Sequence, residues 1–346
     1  MDTGKKGIRI RLEPQDEYMH PLEEAVNFNE SMYSNIFVPS TKPFGGWFRV
    51  GNRANEKYAE MSCCLYLPDG RVGFMYKKPE ISNNHALDAG GMKFEVIEPF
   101  KHLKVTYQGK LCLMKNPHDM ADPKKAFTEN PMVQCEVDID YTGASPMYGG
   151  EPVNVDGSRI QEKAEEAFAR GHYEQHLTGK GKFRIGDETF DIIDGYGLRD
   201  HSWGPRFWQN IYWYRWLPMN FSKDFAMMVS IITMASGEQR VGGMVLRDNE
   251  YLNIKEASVK SQYDEKDYQT EFKVWAKTDE REYHIDGKVL SLIPLRNRRQ
   301  NPDGQWMNTR ITEAMTQYKC DGLVGYGMSE FLDQIVDGKP VGETFS

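Results

Sequence analysis

Along most of this chain polar and apolar residues alternate with a period of two, the spacing of a strand that buries one face. The clearest run is Val133-Gln-Cys-Glu-Val-Asp-Ile-Asp-Tyr141, where Val133, Cys135, Val137, Ile139 and Tyr141 share a side. Met92–Glu98, Leu103–Tyr107 and Leu111–Met114 read the same way, the last two separated by a turn at Gln108-Gly-Lys110. Pro68-Asp-Gly-Arg71 joins Tyr58–Leu67 to Val72–Tyr76: proline presets φ, aspartate bonds the turn backbone and glycine takes positive φ. In the second half, Phe225–Met234 turns at Ser236-Gly-Glu and returns as Arg240–Leu246, and strand patterns continue to Glu330. Many short strands at this spacing predict an all-β sandwich or barrel. Only Ile160–Ala169 reads firmly as helix, with Ser158 near its start and Gly171 after its end. A weaker helical pattern covers Pro21–Tyr33, within an otherwise irregular segment 1–45, and Gly45-Gly46 reads as a turn into the first strand.

The pattern also repeats. Tyr58-Ala59-x-Met61 with Gly70-Arg71-Val72-Gly73 parallels Phe225-Ala226-x-Met228 with Gln239-Arg240-Val241-Gly242, about half a chain later. Two like β-domains are therefore expected, over 46–157 and 172–346, joined by a linking helix over 158–171. A chain of 346 residues fits two hydrophobic cores better than one.

One stretch breaks the apolar alternation: Gly195-Tyr-Gly-Leu-Arg-Asp-His-Ser-Trp-Gly-Pro-Arg206. As a strand it puts Arg199, His201 and Trp203 on one face and Leu198, Asp200 and Ser202 on the other. Burying a cation and an imidazole is costly unless they are paired, so the stretch is a candidate site. Aromatic residues crowd its downstream side, with Trp208, Tyr212 and Trp216 among them, and His172-Tyr-Glu-Gln-His176 lies upstream.

Composition narrows the function classes. A net charge of −8 argues against nucleic acid as a partner. No apolar run is long enough for a membrane helix and the N-terminus lacks a signal-peptide core, so a cytoplasmic location is expected. Homodimerisation and transient contact with a membrane surface stay open. The cysteines, Cys63, Cys64, Cys112, Cys135 and Cys320, show neither a disulfide framework nor zinc spacing. His172, His176 and His201 give only weak support for a metal. Neither a dinucleotide fingerprint, a Walker loop nor a nucleophile elbow occurs, so no cofactor is expected.

The block Gly195–Arg206, with Tyr173-Glu-Gln175 before it and Gly325-Tyr-Gly-Met-Ser-Glu330 after it, resembles the carotenoid 1,2-hydratase (hydroxyneurosporene synthase) superfamily, which is similar in fold to tocopherol cyclase. The resemblance implies two lipocalin-like antiparallel barrels packed together, a cavity for a hydrophobic substrate, and catalytic work for the His and Trp that match His201 and Trp203. It also implies an acid from a Tyr-x-Asp pair on a following strand. Asp224-Phe-Ala-Met-Met-Val-Ser230 holds no such pair. Within this frame His201 is the proton-transfer residue, Trp203 the ring facing positive charge, and Asp200 and Glu174 are carboxylates for acid–base roles. Arg199, Tyr196, Trp208, Tyr212, Trp216 and Glu330 are candidate substrate contacts. The expected activity is a cofactor-independent lyase, hydratase, cyclase or isomerase acting on a terpenoid, steroid or aromatic molecule. The alternative is a carrier that binds such a ligand unchanged.

Overall fold

A computed structural model describes residues 7–160, 169–206, 211–300, 304 and 306–342, with only the backbone of 299 and 300. Two antiparallel sheets make up nearly all of it. The first contains a closed ring. Going round it, the neighbours are Gly171–Ile185, Glu188–Pro205, Phe28–Val38, Phe44–Arg53, Tyr58–Tyr66, Val72–Lys77, His102–Met114 and Met132–Gly143, which pairs back with Gly171–Ile185. Closure removes the unpaired edges an open sheet would expose. Tyr148–Asn154 and Ile8–Arg11 branch from one side of the ring, and Met92–Glu98 and Asp88–Ala89 from the other. The second sheet runs from Glu250–Asn253 through Gln239–Arg247, Phe225–Met234, Ile211–Asn220, Leu323–Val336, Trp306–Cys320, Glu282–Gln300 and Gln269–Lys277 to Glu256–Tyr263.

Each sheet encloses its own core, and a third apolar layer lies between them. The ring is filled by Ile36, Phe48, Met61, Leu65, Val105 and their neighbours, so its interior is packed. The second core gathers Leu217, Met227, Val229, Phe272 and Phe331. Because strands alternate, Tyr33, Trp47, Tyr66 and Phe74 point out of the ring, where they meet Ile293, Met315, Tyr326 and Met328 of the second sheet.

The all-β class and the barrel-like pair match the sequence pattern. Both hairpins of the proposed repeat, Tyr58–Lys77 and Phe225–Arg247, form as antiparallel pairs. The boundaries differ. Sheet membership changes between Pro205 and Ile211, later than the expected 158–171, so the strand bearing the Arg199–Trp203 face belongs to the first sheet. Among the described residues, segment 1–45 carries two whole strands and the start of a third, and Phe28–Val38 is a central one: tertiary pairing overrides the helical spacing of Pro21–Tyr33. Gly45-Gly46 lies inside Phe44–Arg53, where a Cβ on Gly46 would stand 2.4 Å from the Cys64 carbonyl oxygen. His102–Met114 runs as one strand through the expected turn at 108–110. The expected linking helix falls mostly on 161–168, outside the described residues. Among those described, Pro123–Glu129 is the α-helix, capped by Asp122.

One end of the ring is polar and closed by a strap. Residues 13–27, with a 3-10 turn at Pro14–Glu17, cross the mouth. Glu17 descends into it, accepts from Arg199 Nη1 and Nη2, each at 2.8 Å, and accepts from the backbone N–H of Phe100 and the hydroxyl of Tyr173. Arg199 also donates to Gln175 Oε1 at 2.8 and 3.0 Å. Burial works to raise the Glu17 pKa, but Arg199 and the other donors outweigh it and hold it below the usual carboxylate range. Trp203 lies over Gly171, where an added Cβ would stand 2.2 Å from the indole. Both charges of the pair are buried, so removing one strands the other. Arg199→Ala is expected to cost about 3–5 kcal/mol, read as a lower urea midpoint. A cost below about 1 kcal/mol would show the strap to be a passive cover.

Candidate functional site

Strand register assembles a row of side chains across the outer face of the ring. Tyr148 stands opposite Glu174, Glu174 opposite Asp200, Asp200 opposite Tyr33, Tyr33 opposite Arg49, Arg49 opposite Ser62 and Ser62 opposite Tyr76. The second sheet presents a facing row, in which Glu313 stands opposite Glu330, Glu330 opposite Trp216 and Trp216 opposite Ser230. Both rows line one cavity of about 1100 Å³ between the sheets. Trp47, Phe74, Met120, Met228, Ile232 and Leu332 supply much of its apolar wall.

Bonds across the gap fix the two walls against each other. Trp216 Nε1 donates to Glu174 Oε1 at 2.9 Å, and the Trp216 ring meets Tyr33 edge-on at 5.4 Å. The Tyr66 hydroxyl donates to the Glu313 carbonyl at 3.0 Å, and the Tyr148 hydroxyl to the Gly243 carbonyl at 3.0 Å.

The carboxyl groups here are not ordinary ones. Burial pushes Glu313 up to about 8, with Arg49 partly opposing. Burial, with repulsion from Asp200, pushes Glu330 up to about 8, again against Arg49. Burial also raises Asp200; His172 pulls it down and Glu174 pushes it up. Glu313 and Glu330 are therefore largely neutral carboxylic acids at pH 7. Glu330 accepts from the Tyr214 hydroxyl. Glu313 Oε2 is buried with no hydrogen-bond partner among the described residues. Burial would lower His172, but Glu174, whose Oε1 is 3.6 Å from Nε2, and Asp200 raise it above the usual imidazole value. Arg206, which donates to Ser202 Oγ at 2.9 Å, is pushed down to about 9 by burial and by Arg49 and Arg53.

The residues singled out in the sequence separate into two environments. Asp200, Glu174, Trp216 and Glu330 line the cavity. Arg199, His201 and Trp203 face the ring interior instead, and none of them is in the cavity wall. His201 is wholly buried between Glu30 Oε1 at 3.0 Å and the Tyr173 hydroxyl at 3.1 Å. Trp203 stacks on His20, ring centres 4.0 Å apart. His201, expected to be the proton-transfer residue, is placed by period-two alternation on the side of the strand away from this cavity. Arg199 is likewise committed to Glu17. Tyr196 is half-buried outside the cavity lining, Tyr212 packs against the second core, and Trp208 lies outside the described residues. His172, His176 and His201 do not converge. His172 faces the cavity, while His176 bonds the Tyr251 hydroxyl at 3.0 Å and is pushed down to about 4 by burial.

Sequence reading missed Tyr33, Arg49 and Glu313. Glu313 left a trace, a carboxylate inside Ile311-Thr-Glu-Ala-Met315. Tyr33 and Arg49 left none, because only the pairing register brings them beside Asp200.

A family model described as a domain of unknown function, DUF7064, matches residues 13–335. The chain belongs to that family. DUF7064 here spans both sheets and the cavity between them. No curated protein matches the sequence. Among solved structures the chain is similar to an AttH-type protein from Nitrosomonas europaea, at 13% identity and a TM-score of 0.60, covering 93% of this chain and 97% of that one. It is also similar to kievitone hydratase from Nectria haematococca, at 11% identity and a TM-score of 0.53, covering 88% of each chain. At these identities the likeness is one of fold.

The raised carboxyls fix a pH dependence. Glu313 and Glu330 bind protons more tightly folded than unfolded, so their contribution to stability is complete below about pH 4.5 and is lost as pH rises through about 8. The double variant Glu313→Gln, Glu330→Gln is expected to flatten the fall in urea midpoint between those pH values. An unchanged slope would show that both groups ionise in place without cost.

Proposed function

We propose that this member of DUF7064 is a cofactor-independent hydratase or dehydratase acting on a hydrophobic small molecule bound between the two sheets. The carrying observation is the pair of facing rows: neutral carboxylic acids on one wall, Asp200 and Glu174 on the other, inside an aromatic-lined cavity. The fold shared with kievitone hydratase lends support to a hydro-lyase reading over an isomerase or cyclase.

Adding water to a carbon–carbon double bond needs an acid on one side and a base for water on the other. Glu313, with Oε2 uncommitted, gives its proton to one alkene carbon and becomes a carboxylate. The positive charge on the other carbon faces the Tyr33 and Trp216 rings, a contact worth about 0.5–2 kcal/mol. A water held by Asp200 attacks that carbon and passes a proton to Asp200. The product has gained one water, and solvent exchange returns the proton from Asp200 to Glu313. Dehydration runs the same steps backwards. Arg49, in the same row as Asp200, holds the carboxylate forms as they appear. The Trp216–Glu174 bond keeps the two walls at a fixed separation, so proximity does part of the work.

A panel of terpenoids, sterols and phenolic aromatics incubated with the protein tests this by mass spectrometry. The parent is expected to yield a product one water heavier or lighter, and Glu313→Gln to lower the rate by about 10²–10⁴-fold with the fold intact. A ligand that binds the parent and stays unchanged would move the assignment to a carrier. Full activity in Glu313→Gln would remove Glu313 as the acid.

A further inference from the structure

The polar mouth of the ring holds a cluster that neutral imidazoles cannot satisfy by hydrogen bonding. His201 is engaged at both ring nitrogens, Nδ1 with the Tyr173 hydroxyl at 3.1 Å and Nε2 with Glu30 Oε1 at 3.0 Å. Tyr173 has one hydroxyl proton, and it goes to the Glu17 carboxylate that Arg199 grips from the other side. The hydroxyl oxygen therefore accepts from Nδ1–H. Nε2 of a neutral ring is then a lone pair 3.0 Å from a carboxylate oxygen. His20 repeats the conflict. Its Nδ1 lies 2.7 Å from the same Glu30 Oε1 and its Nε2 3.4 Å from Asp16 Oδ1. A neutral imidazole has one N–H, so one of these contacts also sets a lone pair against a carboxylate.

We infer that His20 Nδ1, Glu30 Oε1 and His201 Nε2 are the ligands of a divalent cation of the zinc class. The ligand atoms of the three residues lie within 4.8 Å of one another. Donors bound to one tetrahedral zinc at about 2.0–2.1 Å stand about 3.4 Å apart, so closure asks for small side-chain shifts only. A single ion answers both conflicts. It takes the two lone pairs that face Glu30 and leaves the remaining N–H of each ring for a fixed acceptor, the Tyr173 oxygen for His201 and Asp16 for His20. A second acceptor behind each ligating imidazole is the usual support of a metal site. Charge balances as well, two positive charges against Glu30 and Asp16. The other Glu30 oxygen is held by Asn84 Nδ2 at 2.5 Å, which orients the carboxylate.

Two imidazoles and one carboxylate suit zinc and its first-row neighbours, and do not suit calcium or magnesium. His20 is partly exposed, which gives the ion a way in and water a fourth position. The three ligands come from the strap, Phe28–Val38 and Glu188–Pro205, so the ion staples the strap to the ring. It lies on the face of Glu188–Pro205 away from the cavity, so the assignment is independent of the hydration proposed above.

The test uses the full chain stripped with EDTA. Cobalt(II) is expected to give the visible d–d bands of a low-coordinate site, saturating at one equivalent, and zinc to displace it and raise Tm. His20→Ala, a change at the partly exposed strap, is expected to abolish both the bands and the zinc-dependent rise in Tm. Glu30→Gln serves as the second variant, keeping shape while removing the anionic ligand. Absence of stoichiometric cobalt or zinc binding, with nitrogen NMR showing both rings doubly protonated, would overturn the inference: protons would then occupy the positions assigned to the ion. Binding that survives both variants would overturn it too, by placing the ion elsewhere.

Discussion

The strand Glu188–Pro205 separates two environments, and the rest of the molecule follows from that. Successive side chains leave a strand on opposite sides. Arg199, His201 and Trp203 therefore enter the mouth of the closed ring, while Asp200 and Ser202 enter the space between the sheets. Each environment is then completed by register. Inside, Tyr173, Gln175, Glu30 and the strap residues Glu17 and His20 surround the odd-numbered set. Outside, Glu174, Tyr33 and Arg49 extend the row begun by Asp200. One polar dodecapeptide thus supplies both the buried polar network of the ring mouth and part of the acidic wall of the cavity.

Such a division explains how much of the molecule could be read from the chain alone. Period two was visible in Val133–Tyr141 because that strand has one face in a core, Phe225–Met234 was visible as an apolar run ending at a turn, and the all-β class followed. The strand Phe28–Val38 was not visible, since it is buried on both faces and alternation disappears when neither side meets water. The motif was legible as unusual, and the split of its residues between two faces could be stated. Which face held the cavity could not, because that depends on the ring closing and on the second sheet docking against its outside. Glu330 and Trp216 were legible as candidates through composition. Glu313, placed opposite Glu330 by register, became legible only with the pairing of Trp306–Cys320 against Leu323–Val336.

The electrostatic character of the cavity has a single origin. Carboxyl groups on two apolar-backed sheets lose water when the sheets meet, and too few cations are close enough to compensate. Arg49 acts on Asp200, Glu313 and Glu330 together. Glu17 in the ring mouth is equally buried, yet it is low rather than high because a two-pronged guanidinium, a hydroxyl and a backbone N–H converge on it. Partner supply, not depth, decides the protonation state at each position.

Behind the cavity wall Tyr66 packs with Ile293, Met315, Tyr326 and Met328, none of which lines the cavity, and this layer carries a geometric consequence. These residues act as the shim that sets the width of the slot beside them. Thickening or thinning the shim would open or narrow the slot along its whole length without altering any group that lines it. The width of the slot is thus encoded largely by residues that do not line it.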